Sequence, residues 1–71
     1  MDRDTAEKLV AIWHRLDDCL NEATVLIGTI ADAEEQRRLR RPVGEMMQSA
    51  WVDLMLPIFR EFPDLDPDET R

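Results

Sequence analysis

Apolar residues recur along the first half of the chain with the spacing of one face of an α-helix. The main row advances by three and four residues and comprises Ala6, Leu9, Trp13, Leu16, Leu20, Ala23, Ile27 and Ile30. A second row lies beside it and comprises Ile12, Cys19, Leu26 and Ala33. Together they form a stripe wider than the seam of a two-stranded coiled coil, as is typical of a helix in a bundle. The pattern predicts a first helix over about residues 5–30.

The first helix has a recognisable start. Asp4 is followed three residues later by Glu7, the spacing of a capping box. In that arrangement each side chain accepts a hydrogen bond from a backbone N–H that the first turn leaves unpaired. We therefore expect Asp4 to cap the helix.

The repeat fails after Ile30, because its next positions would place Glu34 and Arg37 in the core. Asp32 and Glu35 then repeat the capping signature. This favours a turn between residues 28 and 32 and a second helix from about residue 33. The alternative extends the first helix to about residue 40 and starts the second with a proline at its first helical position.

The second predicted helix, over about residues 33–62, is apolar around a much larger part of its circumference. At about 100° per residue, its apolar positions span a broad arc that one neighbouring helix is too narrow to cover. They are Val43, Met46, Met47, Ala50, Trp51, Val52, Leu54, Met55, Ile58, Phe59 and Phe62. Pro42 and Pro57 lack the N–H that a helix interior needs, so we expect a bend at each.

These elements predict an all-α fold: an antiparallel two-helix hairpin that forms one domain over residues 1–71. The acidic tail, about residues 64–71, is predicted to be extended and mobile. A domain of this size buries little surface, and with one cysteine it lacks an intrachain disulfide. Two hairpins are therefore expected to pair as a homodimeric four-helix bundle.

The surplus apolar arc near the tail is the candidate face for self-association or for a protein partner. Its residues are Trp51, Val52, Met55, Leu56, Phe59 and Phe62. The leading hypothesis is a non-enzymatic protein–protein interaction module, a small cytoplasmic regulator or adaptor. Helical-hairpin dimers are common among small bacterial regulators, although that analogy concerns shape alone.

The charge of the chain limits its partners. The formal net charge is −7, which opposes binding to nucleic acid and to anionic membranes, because both attract positive surfaces. The start MDRDTAEK lacks the layout of a signal peptide, and no apolar run approaches the length of a membrane span. With a single cysteine, these features favour the cytoplasm.

One basic segment, RRLRR, interrupts the acidic chain. Its arginines are Arg37, Arg38, Arg40 and Arg41. They are spread around the predicted helix without an aromatic residue for base stacking, which argues against a nucleic-acid site. We expect Glu34 to pair with Arg38 and Arg41 with Glu45, four residues apart in each case.

The residues that could carry chemistry are few. His14 is predicted on the polar face and Cys19 in the core. The spacing of Asp64, Asp66 and Asp68 matches the first calcium ligands of an EF-hand, but Glu69 stands where that loop needs glycine. We therefore predict no catalytic, cofactor or metal site.

The alternative function is an acidic inhibitor of the immunity-protein, antitoxin or nucleic-acid-mimic type. Such a protein blocks a basic site on its target and is guided there by charge. The candidate contact residues are Asp17, Asp18, Glu22, Asp64, Asp66 and Asp68.

Overall fold

The computed structural model describes residues 1–67 as an all-α hairpin. Its elements are α1 (Arg3–Ile27), α2 (Ala33–Ser49), a π-helical segment (Ala50–Met55), α3 (Leu56–Glu61) and a 3-10 turn (Pro63–Leu65). The segments from α2 to α3 follow one another directly and form a single helical rod whose α-helical pattern is interrupted by the π segment. We call it the second rod. Within residues 1–67 there is no β-strand. The predicted two-helix hairpin is thus confirmed.

The first helix starts earlier than the sequence pattern predicts. Asp2 is the N-cap, and its Oδ1 accepts a hydrogen bond from the N–H of Thr5 at 3.3 Å. Asp4, the predicted cap, lies inside the first turn, and Glu7 accepts from Arg3 instead of reaching back to the cap. The capping-box prediction is therefore wrong by two residues, because Asp2 is in the extended conformation that an N-cap requires.

The turn lies where the broken repeat predicts it. α1 ends at Ile27, and Asp32 caps α2 by accepting from the N–H of Glu34 at 3.1 Å. Gln36 closes the turn, since its side-chain amide donates to the carbonyl of Ile30. The alternative with a longer first helix is wrong.

The two prolines of the second rod have different surroundings. Pro42 lies inside α2, which continues through it. Pro57 follows the π segment, in which the N–H of Leu56 donates to the carbonyl of Trp51, five residues back. Pro57 has no N–H for the carbonyl of Asp53, and its ring would crowd that carbonyl in a regular α-helix. The irregularity expected at Pro57 is thus a widened turn just before the proline.

The hydrophobic core is concentrated at the end of the hairpin that carries the termini. Its buried residues are Ala6, Met55, Ile58 and Phe59, and it is packed by the half-buried Leu9, Val10, Trp13, Trp51, Phe62 and Leu65. Nearer the turn, only Leu20 and Val43 are buried among the described residues, each 9% exposed. The half of the hairpin next to the turn therefore has a thin core.

The start of the predicted tail is held against this end. The amino group of Met1 lies 3.2 Å from the carboxylate of Glu61, and Arg3 pairs with Asp64. Leu65, the last residue of the 3-10 turn, packs on the core. The beginning of the predicted tail, Asp64 and Leu65, is therefore attached to the rest of the chain. The prediction of an extended and mobile chain past Leu65 stays a prediction, and residues 68–71 lie outside the described residues.

Candidate interaction face

The face predicted for self-association is largely used by the chain itself. Met55 is fully buried and Phe59 is 4% exposed. Trp51, Leu56 and Phe62 are half-buried, and Val52 is 45% exposed. Two of the six residues therefore belong to the core of the single chain and are not available to a partner in this conformation.

An aromatic cluster explains why this region turns inward. The ring centroids of Trp13 and Trp51 are 5.4 Å apart, and Phe59 lies 5.5 Å from Trp51 and 6.2 Å from Trp13 in an edge-to-face arrangement. Offset and edge-to-face geometries are those that aromatic rings prefer. These contacts join α1 to the second rod.

A different set of apolar side chains is exposed on α1. Ile12, Leu16 and Leu26 are 50%, 41% and 70% exposed. Cys19, predicted in the core, is exposed as well. Residues 12, 16, 19, 23 and 26 follow the helical spacing of four and three, so they form one stripe along the helix. The second row of the sequence pattern is thus largely solvent-exposed.

The second rod carries a matching stripe. Leu39, Met46 and Leu54 are 39%, 51% and 42% exposed. Leu39 and Met46 are seven residues apart, whereas Leu54 follows Met46 by eight. The π segment accounts for the extra residue, because it adds about one residue to the turn. The three side chains therefore remain in line.

Both stripes lie on the same side of the hairpin. In α1, exposed Ile12 and Leu26 directly precede the inward-facing Trp13 and Ile27. In the second rod, Met46 directly precedes the half-buried Met47 in the same way. Each stripe is thus rotated from the helix–helix contact by about 100° in the same sense. Because the two helices run in opposite directions, the same rotation leads to the same side.

We call this surface the apolar face. It comprises Ile12, Leu16, Cys19, Leu26, Leu39, Met46 and Leu54, and the small residues Ala23 and Ala50 lie between them. Exposed charged residues, Lys8 and Glu35, stand one helical turn before Ile12 and Leu39 and mark where the stripes end. The opposite side carries His14, Asn21 and Gln48, each of which directly follows an inward-facing residue.

The arginines of the basic segment are exposed and partly paired with acids. Arg41 donates to Glu45 at 3.1 Å, as predicted. Glu34 lies 3.5 Å from Arg37 instead of the predicted Arg38. This arrangement is that of an exposed helix surface with local ion pairs.

His14 and Cys19 are not brought together. The ring of His14 is tilted against that of Trp13, with centroids 4.9 Å apart, on the polar side, whereas Cys19 is on the apolar face. In the described part of the chain, no group of three or more His, Cys, Asp or Glu side chains could hold a metal ion. None of the helices described is long and apolar enough to cross a bilayer.

The acidic residues of the alternative hypothesis have separate environments. Asp17 is half-buried and accepts from the side chain of Asn21 at 3.4 Å, whereas Asp18 and Glu22 are exposed. The hydrogen bond from Arg3 holds the pKa of Asp64 below its usual value, and the positive charge of Arg3 acts in the same direction. Asp66 is half-buried, and Asp68 lies outside the described residues.

Comparison with known proteins yields no relative. The chain matches no protein-family model, no curated protein and no solved structure.

Proposed function

We propose that the chain is a non-enzymatic protein–protein interaction module that works by presenting the apolar face. Its role would be that of a small cytoplasmic regulator or adaptor. The observation that carries the proposal is the set of six large apolar side chains, 39–70% exposed, on one side of a strongly charged molecule.

Contiguous apolar surface of this kind is unfavourable in water. Single exposed apolar residues are ordinary, but a continuous patch on a small soluble protein is typical of an interaction site. Two parallel apolar rows suit the apolar side of another helix. A helical protein surface is therefore the class of partner that this face fits.

The separation of His14 from Cys19 supports a non-enzymatic role. A cysteine nucleophile needs a base within hydrogen-bonding distance. The only histidine and the only cysteine of the chain lie on opposite sides of the hairpin. They are thus not arranged as a catalytic pair.

Site-specific photo-crosslinking in the source cell tests the proposal. A photoreactive residue at position 26 or 46 is expected to give covalent adducts with a protein partner. The matched control is position 25. Val25 is as exposed as Leu26, at 73% against 70%, but it follows the half-buried Thr24 and so lies off the apolar face. Equal adducts at positions 25 and 26, or none at 26 and 46, would refute the proposal.

The acidic-inhibitor alternative is supported by the net charge of −7 and by exposed Asp18 and Glu22. Its proposed contacts are less well supported, since Asp64 is engaged by Arg3 within the chain. The two functions differ in their response to salt. Association guided by charge slows steeply as ionic strength rises, whereas an apolar helical contact is salt-tolerant.

A further inference from the structure

The apolar face has the dimensions of an interface between two copies of this chain. From residue 12 to residue 26 it is about 21 Å long, at 1.5 Å per residue. Two packed helices, 8–10 Å apart, make it about 20 Å wide. Its projected area is then roughly 400 Å² per copy, and the accessible area of the uneven surface is larger. Two copies would bury roughly 1,000 Å², near the lower limit for a specific interface.

The stripes run along the half of the hairpin that has a thin core and reach the main core at their far ends, where Ile12 and Leu54 adjoin Trp13 and Met55. Leu20 and Val43 are the buried side chains of the half with the thin core, and the stripes run beside them along both helices. At the other end, the aromatic cluster and α3 complete the core within one chain. At the end next to the turn, a second hairpin would provide the apolar contacts that the chain provides for itself at the other end.

The flanks of the face carry charges of both signs. Arg15 and Glu22 each precede a residue of the α1 stripe by one position, so they flank it on its outer side. Arg38 and Asp53 stand in the same relation to Leu39 and Leu54. Asp18 and Glu45 precede Cys19 and Met46 in the same way, so each flank carries one positive and two negative charges.

Two-fold symmetry brings both unlike and like charges together. A two-fold axis perpendicular to the helices pairs each flank with its own reverse, so Arg15 approaches Glu22 of the second copy while the two copies of Asp18 approach each other. An axis parallel to the helices sets Arg15 towards Asp53 of the second copy. A symmetric dimer uses the same patch on both subunits, so the affinity of this dimer has to come from the apolar contact and not from the flanking charges.

We propose that a second copy of the chain covers the apolar face and forms a symmetric four-helix dimer. This inference rests on the proposed function, because it names the occupant of the same face. In this dimer the contact surface consists of the two stripes centred on Cys19 and Met46, and no longer of the residues near the tail.

The first test is sedimentation equilibrium of the wild-type chain and of variants with one new charge. Leu26→Glu and Met46→Glu place a carboxylate on the face and are expected to weaken dimerisation at least about 10-fold each. Val25→Glu, at the neighbouring and equally exposed position, is expected to change it by less than about threefold. Circular dichroism checks that the variants remain helical. Equal effects of Leu26→Glu and Val25→Glu would overturn the inference.

A second test uses the wild-type thiol and needs no substitution. Cys19 lies on the face, so its rate of labelling by a maleimide is expected to fall at least about 10-fold when the chain dimerises, since buried groups are shielded from reagent. Labelling is followed as the protein concentration is raised through the dissociation constant. A constant rate through dimerisation would overturn the inference, because the dimer would then use another surface.

The two proposals fail separately. A wild-type chain that stays monomeric at micromolar concentration overturns the dimer. The proposed function would survive that result if positions 26 and 46 crosslinked to a different protein. The proposed function would fail, and the dimer would stand, if the purified chain dimerised through the face but photo-crosslinks in the cell formed as readily at position 25 as at position 26.

Discussion

At the scale of single residues, Leu54 and Met55 exchange the positions that a regular helix would give them. At about 100° per residue, Leu54 would lie seven positions after Met47 on the same inward side. In the structure Met55 is fully buried and Leu54 is 42% exposed. The widened turn of the π segment rotates the chain by about one residue and causes the exchange. Uniform helical periodicity would therefore place Leu54 inward and Met55 outward, the reverse of what the structure shows.

The buried residues after the π segment should determine the stability of the single chain. Ile58 is 1% exposed, so Ile58→Val removes a buried methylene and should lower the free energy of unfolding by about 0.5–1.5 kcal/mol. Val52→Ala, at a 45% exposed position, should change it by less than about 0.5 kcal/mol. Urea denaturation at one fixed protein concentration measures both. A larger loss for Val52→Ala would contradict this assignment of core and surface.

The pair of Arg3 and Asp64 makes a pH-dependent contact between the two ends of the chain. The pKa of Asp64 is lowered by the hydrogen bond from Arg3. The resulting stabilisation is therefore complete above the ordinary aspartate pKa of about 3.9 and is lost as the pH falls through the lower folded value. An NMR titration of the side-chain carboxyl should give a pKa below the ordinary value, and Arg3→Gln should raise it. An Asp64 pKa that is unchanged in Arg3→Gln would show that the contact is absent in solution.

At the scale of elements, the turn was predictable because two independent signals coincide in the sequence. The apolar repeat ends after Ile30, and Asp32 offers a capping side chain two residues later. The start of α1 was misplaced because Asp2 and Asp4 are both suitable caps, and composition alone does not distinguish them. The π segment had no comparable signal beyond Pro57, which indicates an irregularity without specifying its form.

The cap of α2 can be tested by substitution. Asp32→Ala removes the acceptor for the N–H of Glu34 and should lower the free energy of unfolding by about 1 kcal/mol. Asp32→Asn keeps an acceptor oxygen and should have a much smaller effect. Thermal unfolding followed by circular dichroism compares the two. Similar losses in both variants would mean that the carboxylate charge matters more than the hydrogen bond.

The π segment behaves as a one-residue insertion, so its removal should be tolerated. Deleting exposed Val52 in a chain that also carries Pro57→Ala, which removes the clash with the carbonyl of Asp53, would let the rod become α-helical there while Met55 and Ile58 keep their inward direction. Deleting exposed Arg15 from α1 is the control, because it rotates Trp13 relative to Leu20 by about 100°. We expect cooperative unfolding to persist in the first deletion and to be lost in the second. Loss of folding on deletion of Val52 would contradict the insertion model.

At the scale of the whole molecule, the distribution of charge separates an apolar dimer from a charge-driven complex. Two copies with a net charge of −7 each repel one another at low ionic strength. The apolar face carries no charge, so salt screens the overall repulsion without weakening the main contact. Dimerisation should therefore be unchanged or strengthened when sodium chloride is raised from low to physiological concentration.

Sedimentation equilibrium over a series of salt concentrations measures this dependence, and Arg15→Gln provides the comparison. If the flanking pairs contribute little, as exposed ion pairs usually do, the variant should show a similar salt response. A dimer that dissociates as salt is added would instead be held by its flanking charges. That result would place the affinity in residues such as Arg15 and Glu22 and would remove the apolar contact from its leading role. The net charge of each copy is negative in both cases, so added salt reduces the repulsion between the copies in both. The association is expected to survive added salt only if an uncharged face provides the main contact.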